Sequence, residues 1–472
     1  MNKTLEKIKS FAFIKAISSF IYSKYFPFLT AAVTLLCYYL GWDVVLIYYI
    51  GLCGIFILLF MDDVSPIISV LLFMSILVSL KNTPSNSMGD SDYYFRTANL
   101  VQIITVITLF ISAAVARIAL TVIQKRFTLT QIFYGLCGFA AVLLINGLFS
   151  KDYNPKNMLY GLIMASCFLG IYSAVKDNVK MDGEGYERIA YAFLAFSVTL
   201  LIELIVAYIT TDGIFVDGSV NRGLLIFGWG VYNTFGVMLV MCIPSVIFLA
   251  GKKNFGFVYT LYSFVLFIAA FMCFSRQAMV GAVAIYPFLM VMLFIKGKNR
   301  LANICIFSAA AVAGIILFII YFDNVINFFN EIFANIIVGG ELNGSGRTRL
   351  WREALENFST YPLLGKGFYV TFSYTGNSGL GFIPLMCHNT ILQLMSCSGI
   401  IGLGAYLIHR TQTVLSFCRN INTERGFIAI TILAMLIICL FDNHIFNIFP
   451  TIIYSALVAV LVQNEDKRKQ IG

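Results

Sequence analysis

His388 stands immediately before an apolar run that opens with Asn389, and Gln393 and Ser396 follow at helical spacing. An imidazole at the mouth of an apolar bundle can take a proton from a hydroxyl without a metal, because histidine titrates near pH 6.5. The arginines upstream are Arg222, Arg276 and the cluster Arg347, Arg349 and Arg352. Arginine stays charged, and its planar fork grips phosphate oxygens bidentately, so the set suits a pyrophosphate group. Gly344-Ser345-Gly346-Arg347-Thr348 leads into a stretch where Leu350, Trp351, Ala354, Leu355 and Phe358 recur at helical spacing. With Thr348 as N-cap, the turn sets Arg347 beside the exposed N–H groups and positive end of a helix, an anion site. The blander alternatives are a helix lying on the membrane surface with its arginines toward headgroups, and a structural interfacial histidine.

These residues must be positioned by a membrane bundle. The chain has 472 residues, of which 60% are hydrophobic and only 12% charged. A soluble domain carries about 25% charged residues, so a soluble enzyme, a disordered chain and a disulfide-stapled module are excluded. The reading is an all-α polytopic membrane protein with about fourteen apolar spans. Their approximate edges are 26–41, 43–61, 66–81, 98–119, 128–149, 158–175, 189–210, 231–250, 256–274, 278–295, 302–321, 389–408, 427–441 and 450–463. Residues 1–25 read as a basic amphipathic cytoplasmic segment, 26–321 as an N-terminal bundle and 322–388 as one long external loop. Residues 389–463 follow as a three-helix C-terminal part, and 464–472 as a cytoplasmic tail.

Placing both termini inside leaves about 22 basic residues in the cytoplasm and about 10 outside, as the positive-inside rule prefers. The net charge of +9 is thus topological and needs no nucleic acid. Arg222, Arg276 and the Arg347 cluster stand out because they sit on the disfavoured side. A long external loop is also where membrane enzymes place chemistry. Cysteines inside the spans, such as Cys37, Cys242 and Cys439, read as small buried hydrophobes. His409 and His444 read as structural, although His444 lies beside Asp442. Asp90-Ser91-Asp92 is a short acidic triplet with little weight as a metal site. Glu203, in mid-span, marks either a proton path or a buried polar pair.

Gly346-Arg347 with Leu350-Trp351, then Pro362-Leu363-Leu364-Gly365-Lys366-Gly367, then His388-Asn389 with Leu392-Gln393 and Gly399-Ile400-Ile401-Gly402 resemble the signature of the O-antigen ligase and O-antigen polymerase superfamily. Asn221-Arg222 through Asn233, and Ser275-Arg276, are similar to weaker features, with Tyr232-Asn233 where the family has Pro-Asn. The resemblance implies a GT-C-type glycosyltransferase acting at the external face of a bacterial plasma membrane, without metal or other cofactor. Its donor would be a glycan on undecaprenyl pyrophosphate, with a chain-length regulator as a further partner. His388 would be the general base. Arg276 and Arg347, with Arg222, would hold the pyrophosphate, supported by Arg349, Arg352 and Asn389, and Asp442 would orient its partners. Two spans beyond the ligases' twelve lean toward a polymerase of lipid-linked repeat units. A ligase acting on lipid A–core or another envelope acceptor is the nearest alternative. A secondary transporter or lipid-linked sugar flippase would call for internal repeats and several ionisable residues near the midplane, whereas no repeat is seen and Glu203 is nearly alone. A membrane scaffold would leave the external arginines unexplained.

Overall fold

The computed structural model describes residues 9–77, 80–81, 92–93, 99–212, 214–216, 219–220, 232–333, 337–338, 341–342, 347–372, 386–419 and 422–463. In chain order the helices begin α1 Ala12–Tyr22, α2 Phe26–Leu40, α3 Asp43–Phe60, α4 Ile67–Leu77, α5 Leu100–Ile123 and α6 Gln131–Leu144. Next come α7 Lys156–Ala165, a π turn Ser166–Gly170, α8 Ile171–Lys176, α9 Gly183–Thr210, α10 Tyr232–Lys252 and α11 Gly256–Met272. The rest are α12 Arg276–Lys296, α13 Arg300–Ile320, α14 Phe322–Phe333, α15 Arg347–Thr360, α16 Thr390–Arg419, α17 Thr423–Cys439 and α18 Ile448–Val462. Three antiparallel pairs of two-residue strands lie in the connections.

Every apolar span read from the sequence contains a helix. By length and composition, eight helices of the described residues can cross a membrane, or nine if α1 and α2, bent by 86°, form one span. Fourteen crossings is therefore the apolar-segment count rather than a count of full-length spans, since α4, α6, α11 and α18 are shorter. Helix edges differ from hydropathy edges where a polar turn is capped. α9 starts at Gly183 because the Asp182 carboxylate accepts the Gly185 N–H at 2.7 Å, ahead of the apolar run.

The chain divides into two compact units. The first comprises residues 1–127, 174–328 and 422–434, and the second 128–173, 329–421 and 435–472. In the first, α10 packs on α9, α11 and α12, and 89% of its apolar window is buried, against 6% for α13. α10 is thus the core helix of that unit, and α13 presents its apolar side chains outward.

In the second unit α16 packs on α6, α15 and α18. α16 is broken at Gly399, whose φ is 64° and ψ −161°, a region open only to glycine. The break frees backbone groups, and the Pro362–Gly367 segment takes them up. The Ile400 and Ile401 N–H groups donate to the carbonyls of Pro362 and Leu363 at 2.8 and 3.3 Å, and those of Lys366 and Gly367 donate to Ser396 and Cys397 at 2.8 and 3.0 Å. On its other side Gly147 N–H donates to Leu364 O at 2.9 Å. Asn146 and Asn157 accept the Phe368 and Tyr369 N–H groups at 2.9 and 2.6 Å. Among apolar helices an unpaired peptide group costs several kcal/mol, so these contacts are what make the break tolerable.

Gly399→Ala should therefore lower stability in detergent by about 2 kcal/mol or more, from backbone strain and collision with the Pro362 and Leu363 carbonyls. Gly404→Ala, on the same helix with open space around it, should leave the unfolding midpoint unchanged or slightly raised. Equal midpoints for the two variants would refute the splice.

Candidate functional site

The second unit gathers His388, Asp442, Arg347 and Asn389. α15 opens at Arg347 itself, so Thr348 lies in its first turn instead of capping it, and Gly344–Gly346 fall outside the described residues. The face carrying Leu350, Trp351 and Ala354 packs with Cys387, Leu392 and Phe372, while Leu355 is exposed. The helix is therefore seated on the histidine-bearing segment by half of its apolar stripe. The Trp351 indole N–H donates to Cys387 O at 2.9 Å, and Cys387 N–H donates to the Gln393 amide oxygen at 2.7 Å.

Both sides of the histidine are thus held. Asn389 caps α16 by accepting the Leu392 N–H at 3.0 Å and donates to Leu440 O, also at 3.0 Å. His388 itself has φ +57°, which a side-chain-bearing residue rarely adopts. Such strain costs about 1–3 kcal/mol. Four flanking hydrogen bonds at about 0.5–1.5 kcal/mol each are enough to hold it.

The His388 Nδ1 lies 2.9 Å from Asp442 Oδ1, and the same oxygen accepts the Asn443 N–H at 2.8 Å. The other oxygen, Oδ2, lies 3.6 Å from His444 Nε2. Burial opposes ionisation of Asp442. His444, the His388 hydrogen bond and the Asn443 N–H outweigh it and hold the carboxyl well below the usual range. Burial also pushes the His444 imidazole down. Asp442 opposes that, and the nearness of His388 and Arg347 reinforces it. His444 on Oδ2 and the hydrogen bonds to Oδ1 together keep Asp442 ionised. An ionised carboxylate can only accept, so His388 Nδ1 carries the proton and Nε2 the lone pair. The His388 side chain is 38% exposed against 12% for Asp442.

Arg347 reaches the same stretch, its Nη1 donating to Phe441 O at 2.7 Å, one residue before Asp442. Arg349 and Arg352 are exposed on α15. Arg276 belongs to the first unit, as the opening residue of α12. Ser275 caps that helix through Ala278 N–H at 3.4 Å, and its hydroxyl donates to Asn233 at 3.1 Å, which joins two features of the sequence motif. Arg222 and Asp90 lie outside the described residues, and Asp92 is described only as backbone. No group of three metal-ligating side chains occurs among the described residues. Glu203 accepts a hydrogen bond from the Tyr39 hydroxyl at 3.0 Å, as a buried polar pair would.

Sequence reasoning missed four contributors. His444 was read as structural, yet it closes the second side of Asp442. Asn443 both donates its N–H to Asp442 and gives its amide to Gln393 at 3.0 Å. Asn146 and Asn157 hold the Phe368–Tyr369 backbone, and the available signal was an asparagine near the end of an apolar run. Residues 261–407 match the family model described as O-antigen ligase. No curated protein matches the chain. The matched segment contains Arg276, Arg347 and His388, and through it the chain is similar to the O-antigen ligase and polymerase superfamily, as an all-α polytopic membrane protein.

Proposed function

We propose that this protein is a membrane glycosyltransferase of GT-C type that polymerises undecaprenyl-pyrophosphate-linked oligosaccharide repeat units on the external face of a bacterial plasma membrane. The observation that carries this reading is the His388–Asp442 pair, 2.9 Å apart, with the imidazole half exposed and Arg347 tied to the neighbouring residue. His388 Nε2 removes the proton from an acceptor sugar hydroxyl as its oxygen attacks the anomeric carbon. The bond from that carbon to the pyrophosphate oxygen breaks, and the lipid pyrophosphate leaves with the bonding pair. Asp442 stabilises the imidazolium that forms. Arg347 neutralises the charge developing on the departing group, a role the resemblance also implies for Arg276 and Arg222, while Arg349 and Arg352 add positive potential. Asn389 supports the base by capping its helix. One base and a single displacement invert the anomeric centre, unlike the paired carboxylates of retaining hydrolysis.

The description of the matching family favours a second reading, a ligase moving the finished glycan to an envelope acceptor. The base and the clamp are the same in both, and only the acceptor differs. Purified protein given lipid-linked repeat units in EDTA should yield a glycan ladder. His388→Ala should abolish it while leaving the elution profile and unfolding midpoint intact. A product formed only with a separate acceptor lipid would select the ligase. Activity lost in EDTA and restored by Mn²⁺ would refute metal-free transfer.

Asp442→Asn should lower kcat by about 10²–10⁴, because a neutral amide no longer fixes the imidazole tautomer. KM for the lipid-linked donor should change little. A variant with wild-type turnover would remove Asp442 from the mechanism.

A further inference from the structure

The first unit contains a groove of about 220 Å³ between α10, α12 and α17, at the end of these helices where basic residues collect. Its walls include Ile247, Phe248, Leu289, Leu293 and Phe427, with Met292 beside them. Phe248 and Phe427 stack with centroids 4.5 Å apart, which makes the floor rigid. Lys252, Lys296 and Glu424 stand at the polar end. Lys252 is already engaged, 2.9 Å from Glu424 and 3.6 Å from Glu187. Lys296 is exposed and has no ion pair among the described residues. The next turn adds Lys298, while Lys253 is paired with Glu187. The rim is therefore cationic in excess.

We infer that this groove holds one anionic phospholipid of the cytoplasmic leaflet, its acyl chain against the Phe248–Phe427 wall and its phosphate on Lys296. An apolar floor with a cation at one end complements a molecule with a chain at one end and a phosphate at the other. The volume falls short of the roughly 300 Å³ at which soluble small-molecule sites begin, so a chain segment fits better than a whole metabolite. On the same helix Phe288, Val291 and Ile295 are exposed, giving α12 a lipid-facing side from which a lipid can enter. The positive-inside distribution puts this end at the cytoplasmic surface, where anionic headgroups gather. The site is independent of the glycosyl transfer proposed above.

Native mass spectrometry of the full chain, delipidated and then titrated with phosphatidylglycerol or phosphatidylcholine, tests it. Wild-type protein should retain one phosphatidylglycerol, held more tightly than phosphatidylcholine, and millimolar inorganic phosphate should not displace it. Lys296→Glu should weaken that retention about tenfold, since it removes an attraction and adds a repulsion. Met292→Trp should weaken retention by filling the groove. Arg300→Glu, the same charge change outside the groove lining, should leave the affinity within about twofold of wild type. If Lys296→Glu fails to elute as a folded monodisperse species, Lys296→Gln replaces it, with a severalfold loss expected. Equal losses for Lys296→Glu and Arg300→Glu would reduce the effect to diffuse surface attraction and overturn the site. So would equal retention of the two lipids, or displacement by phosphate.

Discussion

A peptide group surrounded by apolar side chains has no water to fall back on, and the second unit is organised around meeting that requirement at one helix break. α16 gives up its own hydrogen bonds at Gly399, and a loop running from Pro362 to Tyr369 supplies replacements on one side while the Asn146–Asn157 region grips it on the other. The glycines at 365 and 399, both at positive φ, are points where backbones approach too closely for a side chain, and at Gly367, also at positive φ, the Asn157 side chain fills that place. The loop is thereby a fixed part of the bundle, and so is the start of α16, where His388 sits.

The same economy of neutral partners governs the chemistry. Gln393 takes the Cys387 N–H and the Asn443 amide with one oxygen, so it couples the segment before the histidine to the segment after the carboxylate. Trp351 and Asn389 complete the frame. None of these groups is charged, so they position the site without adding to the field of the Asp442 carboxylate and the Arg347 guanidinium. Positioning by neutral hydrogen bonds leaves the electrostatics to the residues that would meet substrate.

Much of this was legible from the sequence, and the limits have physical causes. Hydropathy located the apolar helices of the described residues because a span needs a sustained apolar run, and the arginines drew attention because the topology read from the sequence sets them on the side the charge rule disfavours. Arg347, His388 and Asp442 were named from residue type and resemblance, and all three lie in one unit. What could not be read was long-range backbone pairing. Pro362–Gly367 looked like a tight turn in a loop, and its role in closing a helix break depends on partners in residues 396–401. The grouping of residues 128–173 with the C-terminal part is likewise a packing fact, since those spans are as apolar as their neighbours. Leu355 followed the apolar period of α15 and is nonetheless exposed, because periodicity marks a face and not how much of it is covered.

The three histidines show how environment sorts one residue type. His409 is fully buried in α16 and bonded through Nε2 to the Tyr454 hydroxyl at 2.8 Å, so no substrate hydroxyl can reach it. His444 is 2% exposed and lies 3.6 Å from the Asp442 carboxylate. It can shape that carboxylate's field without meeting a substrate. His388 alone of the three combines an accessible ring with a carboxylate that fixes its tautomer. The arginines divide in the same way. The Arg410 guanidinium lies between the rings of Tyr406 and Tyr454, at 4.4 and 4.1 Å, which spends its charge on π faces. Arg347 spends one N–H on a backbone carbonyl. Its charge is not neutralised by that bond, so the guanidinium can still attract an anion beside the His388–Asp442 pair.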